Sequence, residues 1–470
     1  MSHIDLSKFD ATEIARLIRT HEVTASEALD WAVDAVDSRD EGVNAVWDTF
    51  PERARKEIER GLPVGPFSGV PFMIKDLGLR LEGVPTTCGS RFFADDNSKY
   101  SSELVKRYQS AGLVIFGKTA TSEFGLGPSA DTDLYPRTNN PWNRLRIAGG
   151  SSSGSAAAVA SGTLPIVHAS DGGGSIRIPA ACCGVFGMKP SRGRITYAQI
   201  AESWSGMSTQ HAISRTVRDN AALLDVTHGG LPGDPYFCPP PPCSFVDAAA
   251  HDPHPLLIGF HLTSADGIDP EPSIRDGVLR MVTLLEGLGH HLMETRPDFD
   301  LSEVALLYGT ITASTITMMI EDRVNRLGRE PRQDELLEVT RQIYSIGLRK
   351  RAVDLARTRE ACFTAAREIA AFTERFDVIL CPTIAQLPPK HGALDMRNES
   401  LTEYMSAIFR FAPYTAPASL AGQPAMNVPV GLSSDGLPLG AHFSAAFGYE
   451  HLLYSLAGQI ERAQPWVHLP

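Results

Sequence analysis

Several features that would assign a chain to a common functional class are missing from this sequence. No uninterrupted apolar run reaches the roughly 18–20 residues that a membrane-spanning helix needs. Acidic residues outnumber basic ones, 55 to 43, giving a net charge of −12, and nucleic-acid binding would need clustered basic surface instead. The seven cysteines include no C-x-x-C pair and no cluster of histidine and cysteine with zinc-ligand spacing. We therefore expect no membrane span, no nucleic-acid partner, no metal and reduced thiols.

The amino terminus also lacks a familiar signal. Its first residues contain no basic segment followed by an apolar run, so we expect no secretory signal and predict a cytoplasmic protein. With 470 residues, 43% of them hydrophobic and 21% charged, the chain has the composition of a folded globular protein. No motif calls for a cofactor, and none is predicted.

The order of predicted elements indicates one large α/β fold over residues 1–470. Helices and strands alternate over about 60–230 and about 376–470, which predicts a mixed, mostly parallel central sheet covered by helices on both faces. Helices are also predicted over about 8–60, where two capping boxes occur. A helix-rich insertion is predicted over about 256–375.

Two short motifs suggest other activities. Residues 112–119, Gly-Leu-Val-Ile-Phe-Gly-Lys-Thr, fit the phosphate-binding loop and would imply a nucleotide-binding enzyme. However, the four central residues are themselves typical of a buried strand. Residues 150–154 fit the nucleophile elbow around Ser152, for which Asp377 and His442 would have to complete a triad. That motif needs an apolar strand before it, and residues 144–149 are a poor one.

A third pattern explains more residues together. Two loops rich in serine and glycine, residues 149–155 and 170–175, are separated by an alanine-rich helix and a predicted buried strand. Both loops should therefore emerge beside the same core. The row of small residues Gly172, Gly173, Gly174 and Ser175 can present backbone N–H groups to an anion, as an oxyanion hole does.

On these residues the sequence resembles the amidase-signature family. The opening Gly-Gly-Ser-Ser-Ser-Gly-Ser (149–155), the block Gly-Gly-Ser-Ile-Arg (173–177) and the upstream Gly-Val-Pro-Phe-Met-Ile-Lys-Asp (69–76) follow the family pattern. Ser151 and Ser175, the serines in these two loops that match the family pattern, are 24 positions apart, which is the family's own spacing. Further matches extend over nearly the whole chain, at 117–119, 140–143, 187–190 and 422–425. Ser153 departs from the pattern, where the family has glycine, and so do Ser170 and Gly172 before the second loop.

The resemblance implies a catalytic triad for amide hydrolysis. Lys75 would be the base, Ser151 the bridging serine after a cis peptide bond, and Ser175 the nucleophile. Ser152, Asp171 and Arg177 would support the loops. The resemblance also places an acyl pocket near residues 124–129, 196–206 and 404–416, with candidate lining residues Phe124, Gly125, Leu126, Pro128, Ser129, Trp204, Met207, Ile408, Phe411 and Tyr414.

Elementary chemistry is consistent with these roles. A serine hydroxyl needs an adjacent base, and the one histidine near the loops, His168, lies on a predicted buried strand. A lysine can replace histidine if burial lowers its pKa from about 10.4 to about 7–8. The apolar residues 72–74 favour burial of Lys75, and Asp76 should point to the opposite face of the strand.

The substrate follows less directly. The resemblance is strongest to the branch of 6-aminohexanoate cyclic-dimer hydrolases, bacterial aryl acylamidases and urethanase-type amidases. Because few charges interrupt the candidate pocket segments, we predict small apolar or aryl amides, with carbamates and esters as further substrates, and a monomer or homodimer. The alternatives are a nucleotide-binding enzyme through residues 112–119 and a subunit of glutamine-amidotransferase type.

Overall fold

The computed structural model describes residues 5–198, 203–300 and 304–466. Within these residues the helices and strands alternate along most of the chain. The helices are α1 Ala11–Arg19, α2 Ala25–Arg39, α3 Pro51–Glu59, α4 Glu103–Ser110, α5 Ser153–Ala160, α6 Arg177–Cys183, α7 Val217–Thr227, α8 Phe245–Ala250, α9 Pro272–Gly287, α10 Val304–Leu327, α11 Glu338–Gly347, α12 Ala352–Thr373, α13 Leu401–Phe411, α14 Ala416–Leu420 and α15 Glu450–Ala463. The strands are β1 Val46–Thr49, β2 Pro71–Lys75, β3 Val114–Thr119, β4 Asn139–Asn140, β5 Asn143–Ile147, β6 Ile166–Asp171, β7 Phe186–Lys189, β8 Thr209–Ser214, β9 Leu257–Phe260, β10 His291–Glu294, β11 Val378–Pro382, β12 Ala425–Leu432 and β13 Pro438–Ala445.

Eight strands form the main sheet, in the order β10-β9-β11-β13-β12-β7-β8-β6. The α/β class and the mixed character of the sheet are confirmed, but the expectation of a mostly parallel sheet is wrong. Only the pairs β10·β9 and β9·β11 are parallel, and the remaining neighbours run antiparallel. Alternation along the chain misled the prediction because neighbours in this sheet are often distant in sequence, while β12 and β13 are joined by a short turn that reverses the chain.

A smaller sheet, ordered β1-β3-β2, brings the end of β2 to the main sheet. β2 is buried along its whole length and packs beside β6. There the backbone N–H of Lys75 donates to Nδ1 of His168 at 3.1 Å. This contact places the last residue of β2 next to the loop that follows β6.

The region from 256 to 375 is helix-rich, but it does not stand apart from the sheet. Its strands β9 and β10 extend the main sheet at one edge. Helices α11 and α12 both pack on α10, and Tyr308 of α10 contacts the carbonyl of Gly172, directly after β6. The helical region therefore forms one wall of the space over the second serine- and glycine-rich loop.

The predicted start signals of the amino-terminal helices are confirmed. The carboxylate of Asp10 accepts from the N–H of Glu13 at the start of α1, and Thr24 and Glu27 form a reciprocal capping box at the start of α2. All seven cysteines are free thiols. Among the described residues, no helix combines the length and the apolar character that crossing a bilayer requires.

Candidate active site

Lys75 ends the buried strand β2 and is itself fully buried. Its Nζ lies 2.8 Å from Oγ of Ser151 and 3.0 Å from Oγ of Ser170. Burial lowers the pKa of Lys75 to about 7, against the opposing influence of the Asp171 carboxylate. A large fraction of Lys75 is therefore the neutral amine at neutral pH, and that amine contacts a serine hydroxyl.

The neighbouring Asp76 does not pair with Lys75. Its side chain contacts Lys118, whose Nζ lies 3.1 Å from Oδ1 of Asp76, and both side chains are fully buried. Burial raises the pKa of Asp76, although Lys118 and hydrogen bonds from Thr87 favour its charged form. Lys118 also donates to Oγ1 of Thr86.

The same contacts contradict the phosphate-loop alternative. The four apolar residues between its glycines, 113–116, lead into and form β3 rather than a loop. Lys118 is enclosed in the core and paired with Asp76. Neither a curled backbone nor an available ammonium group is present to hold a phosphate.

The three consecutive serines of the first loop have different contacts. The peptide bond between Gly150 and Ser151 is cis, and Ser151 is the serine that reaches Lys75. The Ser152 hydroxyl donates to the carbonyl of Ser170 at 3.1 Å, while Ser153 starts α5 and bonds the carbonyl of Gly149.

These contacts also contradict the nucleophile-elbow alternative. Ser152 is fully buried and bonded to backbone. His442 is 2.8 Å from a guanidinium nitrogen of Arg177 through Nε2 and 3.5 Å from the sulfur of Cys381 through Nδ1. Burial lowers the pKa of His442 far below its usual value. It cannot serve as the base for Ser152.

Ser175 lies between the end of β6 and the start of α6. It is half-buried, and thus more exposed than Ser151 or Lys75. Its carbonyl accepts from the N–H of Ser152 at 3.3 Å, which ties the two loops together.

The loop before Ser175 is held by the carboxylate of Asp171. Its Oδ1 accepts from the N–H of Gly174 at 2.7 Å and its Oδ2 from that of Ile176 at 3.1 Å. The prediction that the Gly174 amide faces an oxyanion is therefore wrong, because that N–H already donates to Asp171. Within the described residues, the amides of Gly172, Gly173 and Ser175 donate to no protein acceptor.

The guanidinium of Arg177 holds the carboxylate of Asp171 in place. Its Nε and Nη2 donate to the two carboxylate oxygens at 2.8 and 2.9 Å, and both side chains are fully buried. Burial alone would raise the pKa of Asp171, but Arg177 lowers it to about 2. Arg177 also donates to the carbonyl of Thr415 and to Oγ of Ser419. Asp171, which was predicted to support this loop, thus contacts it directly, and Arg177 contacts Asp171.

His168 is a neutral core residue, as its place on a strand predicted. Its Nδ1 accepts from Lys75 and its Nε2 lies 2.8 Å from Oε1 of Gln210. Burial lowers the pKa of His168 to about 3. It therefore orients the backbone at Lys75 and takes no proton at neutral pH.

Two clefts meet at Ser175. The first, here called the charged cleft, has a volume of about 680 Å³ and contains Ser151, Ser170, Gly172 and Ser175. Its lining also includes seven charged side chains, namely Arg80, Asp95, Asp96, Lys99, Asp322, Arg323 and Arg326. The second, here called the apolar cleft, has a volume of about 520 Å³ and also contains Ser175. Its apolar lining consists of Leu126, Pro128, Ile178, Leu306, Ile343, Ile346, Leu401, Met405, Ile408 and Phe409, among others.

Known proteins with similar sequences identify the family of this chain. The sequence pattern of the family described as Amidase matches residues 27–454. The 6-aminohexanoate-cyclic-dimer hydrolase of Paenarthrobacter ureafaciens is 34% identical over an alignment of 488 positions, which covers 99% of this chain and 97% of that protein. The chain belongs to the amidase-signature family. Its members hydrolyse the C–N bond of amides, and the resemblance predicted from the loops is confirmed.

Solved structures of family members have the same fold. The structure of a 6-aminohexanoate cyclic dimer hydrolase complexed with substrate has a TM-score of 0.93 at 32% identity and covers 98% of each chain. A bacterial aryl acylamidase of the amidase-signature family has a TM-score of 0.86 at 25% identity, over 97% of this chain and 96% of that chain. The predicted amidase-signature fold is therefore confirmed.

Six of the pocket residues predicted from the family line one or both of the two clefts. Phe124 lines the charged cleft, Gly125 and Trp204 line both clefts, and Leu126, Pro128 and Ile408 line the apolar cleft. Residues 199–202 of the predicted segment lie outside the described residues.

The prediction that four further residues line the pocket is wrong. Ser129 is buried and hydrogen-bonded to Asp131, and Met207 packs in the core under α10. Tyr414 is buried and donates to the carbonyl of Leu262, and Phe411 is a core residue. Their side chains satisfy packing or hydrogen bonds away from both clefts.

Two residues of this amidase-family site were missed by the sequence analysis. Ser170 is the second partner of Lys75, and its hydroxyl at the start of the second serine- and glycine-rich loop was the available signal. The Tyr308 hydroxyl, on α10, donates to the carbonyls of Gly172 and Ala416, each at 3.2 Å. No local pattern around residue 308 indicates that contact.

Proposed function

We propose that the chain is a serine hydrolase in which Ser175 attacks amides while Ser151 and Lys75 transfer the protons. The observation that carries this proposal is the contact of 2.8 Å between Nζ of Lys75 and Oγ of Ser151, in a cleft that also contains Ser175. The lowered pKa of Lys75 supports its role as base, because an ammonium ion could not accept a proton.

The first half of the reaction forms an acyl-enzyme. Neutral Lys75 accepts the proton of Ser151 as Ser151 accepts that of Ser175. Oγ of Ser175 bonds to the carbonyl carbon, and the C=O electron pair moves onto oxygen. The amides of Gly172, Gly173 and Ser175 stabilise that oxyanion. As the C–N bond breaks, the nitrogen takes a proton from Ser151, which is reprotonated by Lys75, and the amine leaves neutral.

The second half reverses the relay with water. Water loses a proton through Ser151 to Lys75 and its oxygen bonds to the acyl carbon. When the bond to Ser175 breaks, Ser175 regains a proton through Ser151. The acid is released and the site returns to its starting state, so that no cofactor enters the cycle.

The substrates we propose are small apolar or aryl amides, together with carbamates and esters. The apolar lining of the cleft beside Ser175 supports this class. A carbamate or an ester presents the same carbonyl carbon to Ser175, and the relay acts on it in the same way.

A set of alanine variants tests the catalytic proposal. Ser175→Ala should abolish hydrolysis of an alkyl anilide, and Lys75→Ala should reduce it severely near neutral pH. Ser161→Ala is the matched control, because Ser161 caps the far end of α5 and lines neither cleft. Activity of wild-type size in Ser175→Ala or Lys75→Ala would contradict the assignment.

The substrate class needs a separate comparison. We expect anilides and aryl carbamates to be hydrolysed with higher kcat/KM than short acidic amides of the malonamate type. A preference for the short acids would contradict the substrate class and leave the catalytic residues untouched.

A further inference from the structure

The position of the proton donor distinguishes the two clefts. Ser175 lines both, whereas among the described residues Ser151 and Ser170 line the charged cleft alone. On the function proposed above, the departing nitrogen must receive its proton from Ser151. That nitrogen therefore has to face the charged cleft when the C–N bond breaks.

The acyl carbon chain then has one direction left. The carbonyl carbon is bonded to Ser175, its oxygen faces the loop amides, and its nitrogen faces Ser151. Gly173, two residues before Ser175, and Gly150, directly before Ser151, line the apolar cleft. The fourth substituent of the tetrahedral carbon, the acyl chain, accordingly extends into the apolar cleft.

Helix α10 separates the two spaces. Its first half contributes Leu306, Tyr308, Thr310 and Ala313 to the apolar cleft. Its second half contributes Met318, Asp322, Arg323 and Arg326 to the charged cleft. The hydrogen bond from the Tyr308 hydroxyl to the carbonyl of Gly172 connects α10 to the loop that carries Ser175.

The mouth of the charged cleft has one more basic than acidic side chain, since its lining has four basic and three acidic residues. Asp96 is buried and accepts from Arg80 at 3.0 Å, while Arg323 and Arg326 each approach it within 3.3 Å. Asp95 is paired with Arg323. Asp95 and Asp96 are thus neutralised and Asp322 is exposed, while the Arg326 side chain is 50% exposed and Lys99 is exposed. A group bound at this mouth meets basic side chains with unused N–H donors.

The apolar cleft has the opposite character. Within the described lining, Lys350 is the one charged side chain, and its Nζ lies 3.2 Å from Oγ1 of Thr310. An aliphatic or aromatic acyl chain loses no hydrogen bond on entering this cleft. A carboxylate placed away from Lys350 would be desolvated among isoleucine, leucine and methionine side chains, which is unfavourable.

We propose that the preferred substrates are amides of an apolar carboxylic acid with an amine that carries an anionic group, as in an N-acyl amino acid. The acyl half binds in the apolar cleft and the amine half in the charged cleft, with its anionic group near Arg326 and Lys99. This inference rests on the catalytic function proposed above, because it uses Ser151 as the proton donor to the amine.

A pair of reversed amides tests the orientation. Hexanoyl-β-alanine and N-pentylsuccinamic acid are isomers in which the same apolar chain and the same carboxylate stand on opposite sides of the amide bond. Each methylene buried in the correct cleft contributes about fourfold to binding, so hexanoyl-β-alanine should have at least about tenfold higher kcat/KM. Equal values, a reversed preference, or hydrolysis of neither isomer by an enzyme that cleaves hexanoyl anilide would overturn the inference.

Hydrolysis of hexanoyl anilide separates this failure from failure of the function itself. If the wild-type chain does not cleave the anilide, or if Ser175→Ala cleaves it equally well, the catalytic proposal is wrong and this inference is wrong with it. If cleavage depends on Ser175 but the isomers are not distinguished, the orientation alone is wrong.

One variant in each cleft tests the two halves of the inference separately. Arg326→Gln should raise KM for hexanoyl-β-alanine, relative to that for N-butylhexanamide, by about two- to fivefold, as expected of an exposed ion pair. Arg397→Gln, a surface arginine paired with Asp133 outside both clefts, should leave this ratio unchanged. Ile408→Trp should reduce kcat/KM for hexanoyl anilide more than for acetyl anilide. An unchanged KM ratio in Arg326→Gln excludes the anionic subsite, and equal losses for both anilides exclude the acyl assignment.

Discussion

Asp171 and Arg177 form a buried ion pair with two hydrogen bonds, at 2.8 and 2.9 Å, directly beneath the loop that carries Ser175. The same carboxylate accepts the amide of Gly174. The pair therefore connects the sheet to the conformation of the loop that carries Ser175, in which the amides of Gly172, Gly173 and Ser175 donate to no protein acceptor among the described residues.

Replacing Asp171 should damage both stability and catalysis. Asp171→Asn leaves the buried Arg177 charge without its partner, which typically costs about 3–5 kcal/mol of unfolding free energy. Urea unfolding measures this loss. The matched control is Asp133→Asn, whose exposed pair with Arg397 should contribute no more than about 1 kcal/mol. Similar losses in the two variants would show that the buried pair does not organise the loop.

Activity should depend on pH through Lys75. Burial lowers its pKa to about 7, and the relay needs the unprotonated amine. The kcat/KM for a neutral anilide should therefore rise as pH increases through about 7 and level off above it. A flat profile between about pH 5 and about pH 9 would contradict the assignment of Lys75 as base.

The same pKa shift has a consequence for stability. Because the folded-state pKa lies below that of the unfolded chain, the unfolded chain binds a proton that the folded protein does not, over the interval from about 7 to the usual lysine value of 10.5. Lys75 should thus destabilise the fold fully below about 7, and this penalty should diminish as pH rises toward 10.5. Comparing the pH dependence of unfolding in wild type and Lys75→Met measures the effect, since the variant should lack this contribution.

Tyr308 should act as a positioning residue. Tyr308→Phe removes a hydrogen bond to the carbonyl of Gly172, worth about 0.5–1.5 kcal/mol, and lets the oxyanion donors shift. We expect kcat to fall about two- to tenfold with KM little changed. Tyr344→Phe, which removes a hydroxyl contact to Glu321 within the same helical region, should leave kcat unchanged. A fall in kcat of the same size in both variants would indicate a general loss of packing.

The leaving group should determine how much Ser151 matters. An alkyl amine must be protonated as it departs, whereas p-nitrophenolate leaves as an anion. Ser151→Ala should therefore reduce kcat/KM for N-butylhexanamide by roughly 100-fold more than for p-nitrophenyl hexanoate, the low end of what general acid catalysis contributes. Equal losses on the two substrates would mean that Ser151 does not protonate the amine.

The proposed catalytic residues could be nominated from the sequence because each has a local signature. Ser151 and Ser175 occur in glycine-rich patterns at a fixed spacing, and Lys75 ends an apolar strand. The structure brings Lys75 and Ser151 into contact, with Ser175 lining the same cleft. The amide of Gly174 was assigned wrongly because the direction of an N–H depends on backbone torsions. Gly174 has φ of +139°, a value that the sequence does not reveal.

The cleft walls are less predictable than the loops. Ser129, Met207 and Tyr414 were predicted to line a pocket, yet they are buried elsewhere. Apolar residues that line a cleft have the same composition as those that pack a core, so composition alone cannot separate them. Tyr308, Met318 and Arg326 reach the site from α10, more than a hundred residues after the catalytic loops, and no local pattern indicates such a distant contact.

The nucleophile can be identified directly with a fluorophosphonate, which forms a covalent bond with an activated serine. After the wild-type protein is inactivated, peptide mass mapping locates the label. We predict one label, on Ser175, with loss of labelling in Ser175→Ala and in Lys75→Ala at neutral pH. A label on Ser152, or full inactivation without modification of Ser175, would contradict the catalytic assignment.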